Sequence, residues 1–329
     1  MPQPDVGDLH VNKLLTDMSI AYMQDESRFI ADRVFPILGV DKQTDVYAKY
    51  NKDAWFRDHG VRMQRAPGTK AARTGYTVDP TATYRCLNQA IGTGIPDELR
   101  QNADVVYNLD ADATRLVTNA QLIRRERMFA ADFMTTGVWT TDKVGTTDFT
   151  KWSDYAASDP FGDMEDWKAT VSALIGRKPN KMVMGELVWR RIKNHPDFLE
   201  RVKGGATVGN PAMFTKEMFA SWFELDELLV MEAVYNTALE VAPTPATATL
   251  TRIVSDAALL LYVPNAPSLM TPAAGYTFVW RPMVNGAAVQ YIRKYREDPE
   301  KQDVVEAHSY FDHILTAADA GLFLSDAVD

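Results

Sequence analysis

The chain has 329 residues, 46% of them hydrophobic and 24% charged, with a formal net charge of −9 and a single cysteine, Cys86. A chain of this size and composition can bury most of its apolar surface, which excludes a disordered protein and removes any need for a covalent staple. The excess of acid argues against a dedicated nucleic-acid binder, and one cysteine excludes an intrachain disulfide and suits a reducing compartment.

The opening, MPQPDVGDLHVNKLL, has acids and no basic stretch before an apolar run, so it does not read as a secretory signal. Residues 1–35 read as an arm with short helical pieces. Leu14, Met18, Ile20, Tyr22, Phe29, Ile30 and Val34 recur too loosely to hold a core, and Pro36 ends the pattern. Residues 37–95 change character. TDVYAKYNKDAWF roughly alternates, with Val46, Ala48 and Tyr50 on one side, and YTVDPTATYRCLNQAIG is rich in β-branched and aromatic residues. Both are predicted strands. They flank DHGVRMQRAPGTKAARTGYTVDP, which between Asp58 and Asp79 carries Arg62, Arg65, Lys70 and Arg73 and no acid. The stretch is a two-stranded excursion with a polar, Gly/Pro-rich, cationic tip, on an acidic protein.

A long helix is predicted over 109–136. Asp110 and Asp112 favour its start, Ala113, Leu116, Val117, Ala120, Ile123, Ala130, Ala131 and Met134 recur at three and four, and Gly137 is placed to stop it. About 27 residues at 1.5 Å each make a rod of roughly 40 Å. Its apolar stripe, with Leu116, Val117, Ala120 and Ile123, is expected to be buried in the subunit. A second helix carries Met164, Trp167, Val171, Leu174 and Ile175 on one face, with Gly176 as its cap. KMVMG reads as a short buried strand, ELVWRRIKNHPDFLERVKGG as two helices split at Pro196, TKEMFASWF as a helix and DELLVMEAVYN as a strand. After VAPTPATATLT come strands near 257–263, 276–281 and 287–295; the apolar run AALLLYV is far too short to span a membrane. The last long run, DVVEAHSYFDHILT, alternates, with Val305, Ala307, Phe311 and Leu315 on one face and Ser309 as a polar interruption. No internal repeat is visible, and the whole is a mixed α+β chain.

A search for chemistry finds no constellation. His308 and His313 are five apart, which places them on opposite faces of a strand, and His10, His59 and His195 form no metal-binding pair with them. The glycines of KGGATVGNP match neither the phosphate-loop nor the dinucleotide spacing, and no GxSxG elbow is present. Cys86 sits in a strand-like run and reads as a packed thiol. The acids of NLDADATR are placed to cap a helix, and PDELR is a Pro-initiated turn. Arg124, Arg125 and Arg127 read as favourable charge late in the long helix, solvated, or as a contact to phosphate or to a neighbour's acids. The sequence therefore offers no catalytic, cofactor-binding or metal-binding residue.

Arm, basic-tipped excursion, long helix, mixed domain and a late strand returning to the start: this order resembles the major capsid protein of tailed bacteriophages, whose fold is shared with herpesvirus shells and encapsulins. LLTDMSIAYMQDESRFIADRVFP matches the arm, LDADATRLVTNAQLIRRERMFAADFMTTG the spine helix, PNKMVMGELVWRRI the entry to the axial domain, and EDPEKQDVVEAHSYFDHILTAADAGLFLSDAV the closing strand and tail. The resemblance implies an arm over 1–36, an E-loop over 37–95, a P-domain with its spine helix over 96–178, a mixed A-domain over 179–298, and the return strand and tail of the P-domain over 299–329. It implies a structural protein of the virion, not an enzyme, with no cofactor and no membrane partner. Such a protein assembles with itself, in the host bacterial cytoplasm, into hexamers and pentamers of an icosahedral head around double-stranded DNA, with a portal and a decoration protein as further partners. Because the sequence begins at the arm, a separate scaffolding protein is implied, or none. The arm is expected to be ordered only through neighbouring subunits. In the family the E-loop reaches over an adjacent subunit, so Arg62, Arg65, Lys70 and Arg73 are candidate contacts to a neighbour's carboxylates. The alternative for this loop is a solvated hairpin. Contact of the loop with packaged DNA is disfavoured, since E-loops lie toward the outside of the shell. Two other readings of the chain stand beside this one: an encapsulin-like compartment around protein cargo, and an α+β enzyme with an unrecognised site.

Overall fold

The computed structural model describes residues 23–103, 108–203, 214–238, 248–267, 271–283 and 289–329. Residues 1–22 of the arm, the glycines at 204–209 and most of VAPTPATATLT lie outside these. A 3-10 turn at Glu26–Arg28 leads into the one-turn helix α1 (Ala31–Val34) and strand β1 (Ile37–Val40). A ribbon of β2 (Thr44–Tyr50) and β3 (Val78–Arg85) encloses the short helix α2 (Lys52–Trp55) and a 3-10 turn at Gly60–Met63. Strand β4 (Leu87–Pro96) then runs into α3 (Asp97–Asn102), the long α4 (Leu109–Phe133), β5 (Thr141–Val144) and α5 (Pro160–Ile175). Next come β6 (Lys181–Gly185), α6 (Glu186–Lys193), α7 (Pro196–Lys203), α8 (Lys216–Trp222) and β7 (Glu227–Met231). A small hairpin, β8 (Val234–Asn236) and β9 (Leu250–Arg252), precedes β10 (Ala258–Leu261), β11 (Gly275–Trp280), β12 (Gln290–Glu297), β13 (Gln302–Leu315) and β14 (Gly321–Ser325).

Two five-stranded sheets organise these elements. In the first, β13 pairs antiparallel with β4, β12 and β11, and β1 adds parallel to β11. In the second, the order is β5-β14-β10-β6-β7. The second sheet is apolar almost throughout: Met182, Val183, Met184, Leu259, Leu260, Leu261, Leu322 and Leu324 are buried. Helix α5 packs on β14, α6 on β6 and β7, and α8 on β7. Gly176, at φ +69°, ends α5 in the left-handed conformation, and its N–H donates to Ser172 O at 2.8 Å. An aromatic cluster of Trp189, Phe198, Phe214, Phe219 and Phe223 fills the space between these helices.

The sheets do not divide the chain where the sequence reading divides it. Strands β11 and β12 fall within 179–298 but belong to the sheet of β13, while β5 and β14, from either side of that range, complete the second sheet. These pairings join segments far apart in the chain, and local pattern carries no trace of them.

Helix α4 crosses the first sheet on β13 and β4. Asn108 caps it, its side chain accepting from Ala111 N at 3.2 Å, and Asp110 and Asp112 lie in its first turn. It ends at Phe133, ahead of Gly137, which sits at φ +87° in the following turn. The buried positions are Ala113, Val117, Gln121, Arg125, Glu126, Phe129 and Phe133, so the inward stripe runs in steps of four and is polar at its middle. Leu116 corrects the sequence reading: it is 61% exposed, and Ala120 and Ile123 are only half-buried. Gln121 takes the central place because the sheet beneath it offers partners. Its amide donates to Gln89 O (2.8 Å) and Ala307 O (3.1 Å) and accepts from Ser309 Oγ (2.9 Å). The polar interruption at Ser309 is thus matched from above.

The arm is also corrected for its described part. Phe29, Ile30, Ala31, Val34 and Phe35 are buried within their own subunit. Phe35 packs edge-on against Phe129 and Phe133, at centroid distances of 5.5 and 5.0 Å. Helix α1 is a single turn, and its free amides are met by α4: Ile30 N and Ala31 N donate to Glu126 Oε2 at 3.0 and 2.8 Å. Arg125, buried beside it, donates to Asp32 Oδ2 at 2.6 Å and to Gln290 Oε1 at 3.0 Å. The arginine cluster therefore splits. Arg125 holds an acid of its own arm, while Arg124 and Arg127 are exposed, with Arg127 over the Tyr235 ring at 4.3 Å.

The revised stripe makes a paired prediction. Leu116→Asp should fold with a melting curve close to that of the native chain. Val117→Asp places an unpaired carboxylate in a fully buried site and should lose about 3–5 kcal/mol. Chemical denaturation of both variants checks this, and equal losses at the two positions would show the helix turned differently on its sheet.

Candidate assembly interface

The basic stretch sits at the end of the β2–β3 ribbon, and its root is firmly held. Val46, Ala48 and Tyr50 of β2 are all exposed, while Tyr47 between them is half-buried. A two-stranded ribbon has no core of its own, so its orientation follows what lies beneath its root. Here that is Phe278 of β11, with Tyr84 stacked on it at 4.6 Å and 2° and Tyr47 tilted at 5.8 Å. Cys86 is buried alongside, its Sγ 3.5 Å from Phe278 O, and Cys86 N donates to Gln43 O at 2.9 Å. Burial pushes the Cys86 thiol up to about 12, so it is a packing group without thiolate reactivity. Arg85 N donates to Asp312 Oδ2 at 2.8 Å.

Further out, Lys52 of α2 forms an ion pair with Asp319, and Phe56 lies against Gly176. Every residue from 62 to 80 is exposed. Gly60 and Gly68 turn the chain at φ +50° and +80°. Arg62, Arg65, Lys70 and Arg73 are all in this segment and form no ion pair with the described residues of their own subunit. Asp58, which precedes the stretch, accepts from Gly60 N at 2.9 Å. Three aromatic rings stand between root and tip. Tyr50, Trp55 and Tyr76 lie 5.9–6.4 Å apart by centroid, a feature that the strand reading did not single out.

The buried titratable groups are accounted for by packing. His195 accepts from Asp197 N at 3.3 Å through Nδ1, which leaves Nε2 to donate to Ser158 Oγ at 3.0 Å, and burial lowers its pKa. His313 lies 2.9 Å from Thr277 Oγ1 and is pushed down to about 4 by burial and by nearby Arg125, so it is neutral. His308 is on the opposite face of β13, stacked on Tyr291 at 5.0 Å, with Glu306 at 3.0 Å. The acids of NLDADATR serve the fold: Asp110 accepts from Arg100 (3.0 and 2.9 Å) and Lys294 (3.0 Å), which holds its carboxyl down near 2. Among the described residues no group of three or more His, Cys, Asp or Glu is placed to hold a metal ion, and no helix is long and apolar enough to cross a membrane.

The major capsid protein of Burkholderia phage BcepMu is 25% identical over 322 residues, which is 96% of this chain and 96% of that protein. The capsid structure of cyanophage P-SCSP1u matches with a TM-score of 0.61 at 9% identity, covering 99% of this chain and 96% of the other. The holo-SrpI encapsulin of Synechococcus elongatus PCC 7942 matches at 0.55 and 13% identity, over 100% and 97% of the two chains. No protein-family model matches. The fold is the shell-subunit fold shared by tailed-phage major capsid proteins and encapsulins. Within it, the chain is similar to a phage major capsid protein along nearly its whole length.

Two outcomes follow from the buried chemistry. Burial raises Glu126 from 4.5 to about 7, helped by Asp32 and opposed by the two arm amides and Arg125. The folded chain therefore binds this proton more tightly than the opened one. Its contribution to docking the arm is full below about 4.5 and declines as pH rises to about 7. Amide exchange at Ile30 and Ala31, corrected for intrinsic rate, should show protection falling over that interval, and Glu126→Gln should flatten it. A flat profile in the native chain would mean that the carboxylate is ionised throughout. Separately, alkylation of Cys86 should occur only at the rate of global unfolding; rapid labelling of the native chain contradicts the packed-thiol assignment.

Proposed function

We propose that the chain is the shell subunit of a tailed-phage head, assembling as hexamers and pentamers into an icosahedral container for double-stranded DNA. The observation that carries this is the near-complete coverage between this chain and a phage major capsid protein, 96% on both sides. In this reading β2–β3 and their tip are the E-loop, α4 is the spine helix, the sheet of β13 is the core of the P-domain, and the sheet of β10 is that of the A-domain. A portal and a decoration protein are its further partners, with assembly in the host cytoplasm. Electron microscopy of the purified chain should show closed shells, and a small discrete oligomer at every concentration counts against the reading. The likeness to an encapsulin supports a second reading, a compartment around protein cargo. Absorbance of intact particles separates the two, since packaged DNA dominates one and not the other.

Arg62, Arg65, Lys70 and Arg73 are proposed to meet carboxylates or carbonyls of the adjacent subunit. The support is their exposure, their lack of ion pairs within the described part of the subunit, and the net charge of −9 on each neighbour. Each such pair contributes only about 0–1 kcal/mol. A closed shell repeats it in every copy, and it acts over a Debye length of about 8 Å at physiological salt. Replacing all four with Ser should leave the subunit's melting unchanged, slow its assembly and flatten the salt dependence of the rate. Native rate and native salt response would mean a solvated hairpin.

A further inference from the structure

We propose that the aromatic neck of the loop, Tyr50, Trp55 and Tyr76, is the principal docking face for a second copy of this chain, with the basic tip only orienting the encounter. The inference rests on the shell reading and names the anchor within it. The three residues come from β2, α2 and the returning limb of the loop, and converge in space with centroids 5.9–6.4 Å apart. Trp55 is 53% and Tyr76 61% exposed, and Val78 and Met63 extend the same exposed region of the loop. An isolated exposed apolar residue needs no explanation, but a convergent set on an otherwise polar hairpin marks a recognition surface. The described residues of the subunit leave this face open, although the loop is tied down close by through Lys52 to Asp319 and Phe56 to Gly176.

Two arguments select the aromatic neck over the tip. The rings pack on one another before any partner arrives, so little side-chain freedom is lost on binding, whereas the four long cations must each be immobilised. Burying aromatic area is also less sensitive to salt than exposed ion pairs, and Trp and Tyr are the residue types that dominate interface energetics. Charge selects the partner. Along the chain the neck is continuous with Arg57, Arg62, Arg65, Lys70 and Arg73, and a second copy with a net charge of −9 complements it. A single-stranded nucleic acid is the other partner that such a basic, aromatic surface could fit. The rings lie at 36–79° to one another, which gives no parallel platform for successive bases.

The test compares the full native chain with Trp55→Ser/Tyr76→Ser, Trp55→Phe/Tyr76→Phe and the four-Ser tip variant, reading particle yield by sedimentation from low to high NaCl. Both neck variants should melt like the native chain. The Ser pair should lose about tenfold or more of particle yield at every salt level, the Phe pair should keep it, and the tip variant should differ from native only at low salt. Should the Ser pair melt early, Tyr76→Ser alone is read in the same way. Native yield from the Ser variants overturns the proposal while leaving the shell reading intact. So does binding of a single-stranded oligonucleotide by the native chain that the Ser pair abolishes. Absence of particles from the native chain overturns the shell reading itself, and this proposal with it.

Discussion

Strand β13 hydrogen-bonds to β4 over Gln302–Phe311, to β12 over Gln302–Ser309 and to β11 over Phe311–Leu315. The root of the loop, the hairpin that carries Lys294 and Arg296, and the strand that presents Phe278 are therefore all referred to one backbone. Helix α4 then lies across it, fixed by the contacts of Gln121 with Ser309, Ala307 and Gln89. Because register in a sheet has a period of two, a one-residue slip of β13 would turn Ser309 away from Gln121 and leave buried polar groups on both sides without partners. Apolar packing alone would tolerate more slippage than this polar match does. The position of the loop relative to the helix is thereby set before any other subunit is met.

Much of this was legible in the sequence, and the exceptions share a cause. The existence and type of α4, α5, β6, β10 and β13 follow from the apolar pattern, and Gly176 and Pro196 mark boundaries by their local chemistry, whereas the cap of α4 is Asn108 and not the acids Asp110 and Asp112 that follow it. The inward face of α4 was misread because hydrophobicity counts Leu116 toward the core and Gln121, Arg125 and Glu126 away from it. Those three are inside because partners exist for them on β13 and α1, and a partner across a fold leaves no periodic signal. The steps of four from Ala113 to Phe133, read together with the odd polar residue at Ser309, were the available hint. The cationic tip was visible by composition. Its aromatic neighbour was not, since Tyr50, Trp55 and Tyr76 are brought together only by the turn between them.

The subunit separates its polar chemistry by depth. Inside, Glu126, Arg125 and Asp32 join the arm to the spine helix, burial raises the two carboxyls, and His313 on the sheet is kept neutral. At one end of the first sheet, Arg100, Asp110, Lys294 and Asp303 form a half-exposed network that ties α3, α4, β12 and β13 together. Outside, the loop presents cations with no such commitments. Charges already paired within the fold are poorly available to a neighbour, since engaging them would first break existing contacts. The loop offers its cations without that cost.

Strand β14 lies between β5 and β10, near the middle of the second sheet, yet it is made of residues 321–325. A strand contributed so late in the chain means that the place between β5 and the apolar β10 stays open until translation has passed the loop, the long helix and β13. The loop proposed to meet other subunits is thus synthesised well before the body that carries it can close. Non-local pairing of this kind makes closure slow relative to local helix formation. In a crowded cell, the interval between exposure of the loop and closure of the second sheet is the period in which premature contact between chains would be most damaging, and the rate of that closure sets how long it lasts.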